Sequence, residues 1–470
     1  MSLGLSGKNQ GGFLKMAGQK YEIDMSRGSL LKNIIGFAVP LILTNVLQLL
    51  YNAADIVVVG RWVGSNALAS VGSTASLNNL IISIFIGISL GAGVVVSQRF
   101  GAKDADGVKS AVHTVMFIGF VAGIVVLLVG EIFAGPMLRL MGTPEGEVMD
   151  GSLLYMRIWF VGAPALLVYN FGAAILRSIG DTKRPLMILA ATGLINVLLN
   201  LFFVIVLKMG VEGVALPTSI ANYLSMAAVL YTLTHSDGVY RLDLKKLRVH
   251  KKELVDVLKI GLPAGLQGSV FSLSNVTIQS AVNSFGAVVM AGSSAAANIE
   301  GFVYMAMNAF YQAAVTAVSQ NYGAGNRERI RRSVFVSLAC VTVAGAVLGG
   351  LSVLFGKTLL SIYITDSPEA IVYGYRRMVM TCLPYFMCGI MEVLCGYMRG
   401  LGYSAIPAVN SLVGACGFRI IWVFFVLPYN RTIDFLYMCW PLSWGVVILL
   451  HIICTFYVRK RAYEKMAVNC

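Results

Sequence analysis

Three carboxylates hold most of the chemistry this sequence can offer. Of its 22 acidic residues, only Asp55, Glu300 and Glu392 fall deep within long apolar stretches, where an ionised carboxylate is costly unless it is paired or hydrated. Asp55 follows Gln48, Tyr51 and Asn52 by seven, four and three residues, so one helical face would set amide and phenol groups beside the acid. Such groups can hydrogen-bond either protonation state, which suits a site that loads a proton on one side of a membrane and releases it on the other. The competing reading is an acid that caps an interface near Gly60 and Arg61 and never titrates. Glu300 shares a face with Tyr304 and Asn308, and Glu392 follows Gly389-Ile390-Met391. These two could meet a substrate or an ion, or could close a structural salt bridge, with Arg419 as the candidate partner. Met290, Met305, Met307, Met387 and Met391, with Tyr304, could line a deformable cavity, although methionines at helical spacing also fill ordinary cores.

The elements that must position these groups are apolar helices. The chain is 57% hydrophobic and only 12% charged, against about 25% charged in a soluble domain. Apolar stretches recur at 34–59, 71–97, 108–130, 155–176, 186–207, 211–233, 254–285, 290–317, 333–356, 376–398, 405–427 and 436–458, each near the ~20 residues needed to cross a bilayer. The fold class is therefore all-α integral membrane, with twelve spans and both termini on one side. A formal charge of +14 could suggest a polyanion partner, but the basic residues fall in alternate loops, as topology demands. The densest clusters are Arg241 to Lys252, Arg327 to Arg332 and Arg459 to Arg461. That bias places both termini in the cytoplasm, as in an inner-membrane protein, while Arg419 reads as the one Arg deep within a span. All eight cysteines lie between Cys340 and Cys470, without a CxxC pair or a matching His cluster, and read as small packing residues. The first ~27 residues lack the apolar core of a cleaved leader and read as a cytoplasmic tail.

Self-comparison is the most informative operation on this chain. Val96-Ser97-Gln98-Arg99-Phe100-Gly101-Ala102 recurs as Val318-Ser319-Gln320-Asn321-Tyr322-Gly323-Ala324, an offset of 222. Arg177-Ser178-Ile179-Gly180, with Pro185, recurs as Arg399-Gly400-Leu401-Gly402, with Pro407, at the same offset. Pro40 against Pro263 and Pro144-Glu145 against Pro368-Glu369 fit within one or two residues. Six spans per copy is even, so the repeat is parallel. The expected organisation is a tail over 1–27, an N lobe over 28–235, a linker over 236–253, a C lobe over 254–460 and a tail over 461–470. Parallel halves suit alternating access, in which one bundle rocks against the other.

These motifs together resemble the multidrug and toxic compound extrusion (MATE) family, from Gly28 to about Arg461. The carriers are Pro40 through Asp55, VSQRFGA, LRSIGDTKRP and their second-half counterparts. The first-helix pattern Gln48-x-x-Tyr51-x-x-x-Asp55 looks most like the DinF-like prokaryotic branch. The resemblance implies a V-shaped pair of six-helix bundles that exports amphiphilic, often cationic compounds in exchange for H⁺ or Na⁺, with no other cofactor. It also implies an N-lobe polar cluster of Gln48, Tyr51, Asp55, Asn170, Asn196 and Thr218, and a first-helix hinge at Pro40, a proline that by its chemistry alone permits a bend. One position departs from the pattern, since Asn200 stands where many relatives carry an acid. Asn can ligate Na⁺ through its carbonyl but cannot carry a proton, so Asp55 is the lone N-lobe carboxylate. Asn196 and Asn200 could equally serve as interhelical hydrogen-bonding residues. The seventh-helix Glu of NorM-like members is replaced by the run Leu262-Pro263-Ala264-Gly265-Leu266-Gln267.

Two other function classes fit less well. A flippase for lipid-linked precursors would line its cavity with several Arg or Lys. An enzyme would need paired histidines with carboxylates, a GxSxG elbow or a GxxxxGK[ST] loop, and none is present. No metal site is expected beyond Na⁺ near Asp55, and a monomer is expected.

Overall fold

The computed structural model describes residues 21–365 and 367–469; most of the expected N-terminal tail lies outside the described residues. Among the described residues the chain is helical throughout, with no strand. We number its long helices α1 (Leu30–Val58), α2 (Ser65–Gly101), α3 (Ala105–Leu140), α4 (Glu147–Ser178), α5 (Lys183–Leu201) and α6 (Glu212–Thr234). The second half follows as α7 (Lys251–Asn283), α8 (Ala287–Gly323), α9 (Arg327–Leu354), α10 (Pro368–Cys382 continued by Tyr385–Gly400), α11 (Ala405–Ser411 and its continuation to Tyr429) and α12 (Cys439–Asn469). Ten of these are long and apolar enough to cross a membrane, and the two parts of α10, bent by 42°, make an eleventh. Pro384 sits at that bend, where it removes a helical hydrogen bond. α8 supplies the twelfth span. It is 37 residues long but carries Asn298, Glu300, Asn308 and Gln312, which lower its hydropathy. Large apolar side chains such as Ile132, Val343 and Phe425 stand exposed on the helix surfaces, as hydrocarbon rather than water would permit.

The repeat register survives in the backbone. Left-handed φ values occur at Gly64 and Gly286, at Lys103 and Gly325, and at Gly180 and Gly402, each pair 222 apart. Asp104 caps α3 by accepting from Gly107 N at 2.9 Å, and Asn326, its counterpart, caps α9 by accepting from Arg329 N at 2.9 Å. Lys103 holds φ +56 where the second copy uses Gly325. A non-glycine residue there costs up to about 1–2 kcal/mol, so Lys103→Gly is expected to raise the melting temperature of the purified protein slightly.

The chain divides into two compact units. One holds Leu43–Leu258 with the described residues up to Ile23; the other holds Asp24–Ile42 and everything from Lys259 onward. This differs from the expected lobes of 28–235 and 254–460, because each half's first helix begins among the other half's residues. In the second unit, Met25 N donates to Gln320 Oε1 at 2.8 Å, Asn321 Nδ2 to Met25 O at 3.1 Å, and Arg329 to Met25 O and Gly28 O at 2.8 and 3.0 Å. In the first unit, Arg99 pairs with Glu253 at 3.1 Å, His250 N donates to Thr114 Oγ1 at 3.0 Å, and Asp243 N to His113 Nε2 at 3.2 Å. The repeated VSQ motif therefore holds a lead-in segment: Gln320 and Asn321 do so in one unit and Arg99 in the other. Arg329→Ala strips charged donors from these carbonyls. It is expected to cost about 1–3 kcal/mol and to accelerate amide exchange at Met25.

Candidate functional site

The first-unit site is assembled from α1, α5 and α6. Asn196 and Asn200 lie one turn apart on α5 and are buried. Asn200 Nδ2 donates to Asp55 Oδ1 and reaches Asn196 Oδ1 at 3.4 Å. Asn196 Nδ2 donates to Thr218 Oγ1 at 3.2 Å, and that hydroxyl donates in turn to Val214 O at 3.0 Å. In its alternative amide orientation Asn196 donates to Asp55 Oδ1 at 3.1 Å and accepts from Thr218 at 3.2 Å. That orientation satisfies both ends of the amide, so Asn196 joins Asn200 in donating to the carboxylate. Asn200 Oδ1 has no partner. No Lys, Arg or His pairs with Asp55 among the described residues. Two of these helices, α1 and α5, run into a π turn just beyond the site, Val59–Val63 after Asp55 and Phe202–Val206 after Asn200, an irregularity that recurs at functional sites.

The structure thus joins Asp55, Asn196, Asn200 and Thr218, and sets Tyr51 beside them with its hydroxyl donating to Ala190 O at 3.2 Å. It leaves two expected members outside this hydrogen-bonded set. Gln48 is exposed, and Asn170 donates at 2.9 Å to Leu166 O of its own helix. Gly193 was missed by sequence reading, since one glycine in an apolar helix carries no signal. A Cβ at Gly193 would run into the Tyr51 ring, so this glycine seats the phenol against α5. Gly193→Ala is expected to cost about 1–3 kcal/mol by overpacking. Adding Tyr51→Ala should recover most of that, a coupling that a double-mutant cycle of melting temperatures reads.

Pro40 lies inside α1, which remains one helix from Leu30 to Val58. The change from the second unit to the first falls just after it, between Ile42 and Leu43. In α7 the corresponding change, between Leu258 and Lys259, falls shortly before Pro263.

The second unit buries charge differently. Glu300 is held by Arg377, not by Arg419: Nε and NH2 reach its two carboxylate oxygens at 2.9 Å each. Thr381 Oγ1 donates to the same carboxylate at 2.6 Å, and Arg377 NH1 donates to Ser293 Oγ at 2.7 Å. Every carboxylate oxygen is occupied, so Glu300 belongs to a closed bidentate pair. Arg399 donates to Tyr311 Oη at 2.5 Å and Gln267 Oε1 at 2.7 Å, with half-buried Glu392 interacting electrostatically with it and with Tyr304. Asn308 accepts from Gln312 Nε2 at 2.8 Å. The expectation of a single intramembrane Arg is corrected: Arg377, Arg399 and Arg419 are each 3–5% exposed. The first two lie near span edges in the sequence, where helix ends are hardest to place.

The MatE family model matches the chain twice, over residues 40–202 and 263–425. The probable multidrug resistance protein YoeA of Bacillus subtilis is 30% identical over 434 residues, covering 90% of this chain and 93% of that protein. The probable multidrug resistance protein YpnP of the same organism is 27% identical over 417 residues, covering 87% and 89%. A solved structure described as the outward-facing conformation of a multidrug resistance MATE family transporter superposes with a TM-score of 0.86 at 20% identity, covering 96% of this chain and 99% of that one.

Proposed function

We propose, from the premise that this chain belongs to the MatE family of multi-pass membrane transporters, that it is a secondary active exporter of amphiphilic compounds, cationic ones among them, driven by H⁺ or Na⁺ antiport. It works by alternating access, as a monomer in the bacterial inner membrane with both termini cytoplasmic. The observation that carries this reading is Asp55, a carboxylate in a spanning helix that has amide partners but no basic one. Such a group must be balanced by a proton, a metal cation or a cationic substrate. These three compete for one charge, which is the requirement for exchange. The ionised acid favours cationic substrate. Arrival of the coupling ion from outside removes that preference, and bending of α1 at Pro40, where the helix passes from one unit to the other, returns the site to its alternative access.

The proton is the preferred ion, because a single carboxylate suffices for it. Sodium is supported by one observation, the unpartnered carbonyl of Asn200 beside the carboxylate, since Na⁺ takes oxygen ligands. Proteoliposomes loaded with a fluorescent cationic dye, with pH and Na⁺ gradients imposed separately, decide between them. Efflux that follows the pH gradient in the absence of Na⁺ is expected; efflux that follows Na⁺ alone reverses the choice of ion, and efflux indifferent to both rejects antiport.

A further inference from the structure

Among the described residues Arg419 is a buried cation that pairs with no acid. A guanidinium stays charged under all conditions, so each one buried in a membrane protein needs compensation. Arg377 has Glu300, and Arg399 has two neutral acceptors with Glu392 nearby. Arg419, 3% exposed, makes one hydrogen bond, from Nε to Ser443 Oγ at 3.1 Å. Its guanidinium carbon lies 5.5 Å from the centre of the Trp440 ring and 5.9 Å from that of Phe271. Among the described residues its two terminal nitrogens have no hydrogen-bond acceptor. Trp440 also carries Arg377 at 5.1 Å, so a second positive group shares the ring and adds no relief.

The repeat places this guanidinium with some meaning. At the offset of 222, Arg419 corresponds to Val197. The π turn Leu412–Gly417 precedes Arg419, and no such turn precedes Asn196 in α5. An i to i+5 turn absorbs one extra residue, which aligns Arg419 with Asn196. At the position where the first unit surrounds an acid with amides, the second unit thus holds a guanidinium between aromatic faces.

We propose that Arg419, walled by Trp440 and Phe271, binds the carboxylate or phosphate of a ligand that also carries a planar apolar body. The fork of two free terminal nitrogens matches a pair of anionic oxygens, and the rings receive the apolar part. This rests on the export reading above and adds to its substrates compounds bearing an anionic group, alone or beside a cation. The same chemistry is offered by the phosphate headgroup of a membrane lipid, which the experiment separates.

The full chain is reconstituted in zwitterionic lipid, and 1-naphthoate, neutral 1-naphthamide and 1-naphthylmethylammonium are compared by equilibrium binding. Naphthoate is expected to bind at least about tenfold more tightly than naphthamide, as a charged hydrogen-bond pair implies. Arg419→Ala should abolish that preference, and Arg419→Lys, which keeps the charge but not the fork, should retain part of it. Equal binding of naphthoate and naphthamide by the unaltered protein, or a preference that survives Arg419→Ala, overturns the proposal. Because the first comparison needs no variant, a misfolded Arg419→Ala does not decide the matter. Repeating it with phosphatidylglycerol vesicles identifies the source: unchanged naphthoate binding indicates a solute, and loss of binding by competition indicates a lipid headgroup at Arg419. Full coupled efflux in Asp55→Asn, with the naphthoate preference of the unaltered protein intact, fails the antiport reading and leaves this proposal standing, so the two readings fail separately.

Discussion

Asp55→Asn is expected to reduce ion-driven dye efflux to the level of protein-free vesicles while leaving the fold intact. The substitution keeps size and hydrogen bonding, so Asn200 and Asn196 retain a partner, but the side chain can no longer lose or gain charge. Asp55→Glu should retain measurable coupling, because it moves the carboxylate by one methylene without removing it. Asn200→Asp tests the same logic in the other direction. It places a second carboxylate against the first, where both cannot ionise freely, and should alter the pH dependence of efflux without abolishing it. Full gradient-driven efflux in Asp55→Asn, measured in sealed proteoliposomes, would remove this residue from the mechanism.

The largest stability effect is expected at the Glu300–Arg377 pair. Both side chains are buried and their fork is closed at 2.9 Å on each arm. Removing one partner strands a charge inside the second unit, a loss of about 3–5 kcal/mol. Glu300→Leu is thus expected to lower the melting temperature sharply or to prevent accumulation of the protein. Replacing both, as Glu300→Leu with Arg377→Met, should restore much of the loss, because a matched apolar pair avoids desolvation. Thermal unfolding of the single and double variants in detergent reads the difference. Equal stability of Glu300→Leu and the unaltered chain would mean that the pair is open to water. A selective loss of dye binding without a change in stability would return Glu300 to the substrate-binding role that its sequence position suggested.

The spans were legible because hydrocarbon imposes one rule on every residue that crosses it, and the register was legible because turns tolerate few residues. Gly180 and Gly402 show both, ending the fourth and tenth spans with φ +88 each. The Asp55 cluster was legible in part. Helical spacing places Tyr51 on its face, but it also places Gln48 there, and only the angle of α1 against α5 decides that Gln48 is exposed while Asn200 reaches the acid. Pairing between distant helices left no trace in one sequence. Glu300 and Arg377 are 77 residues apart, and nothing local distinguishes Arg377 from the exposed Arg376 beside it. The lead-in segments were hidden for a related reason. Their partners Gln320, Asn321 and Arg99 belong to motifs that read only as marks of the repeat, whereas in the structure they also hold the segments that lead into α1 and α7.

Proton release on ligand binding is the most direct test of Asp55 as the shared charge. Purified protein in weakly buffered, Na⁺-free detergent solution near neutral pH is titrated with a permanently charged cation such as tetraphenylphosphonium, and a pH-indicating dye records the protons. The unaltered chain should release protons in proportion to bound cation, and Asp55→Asn should bind without releasing any. Identical release from both proteins would contradict the assignment.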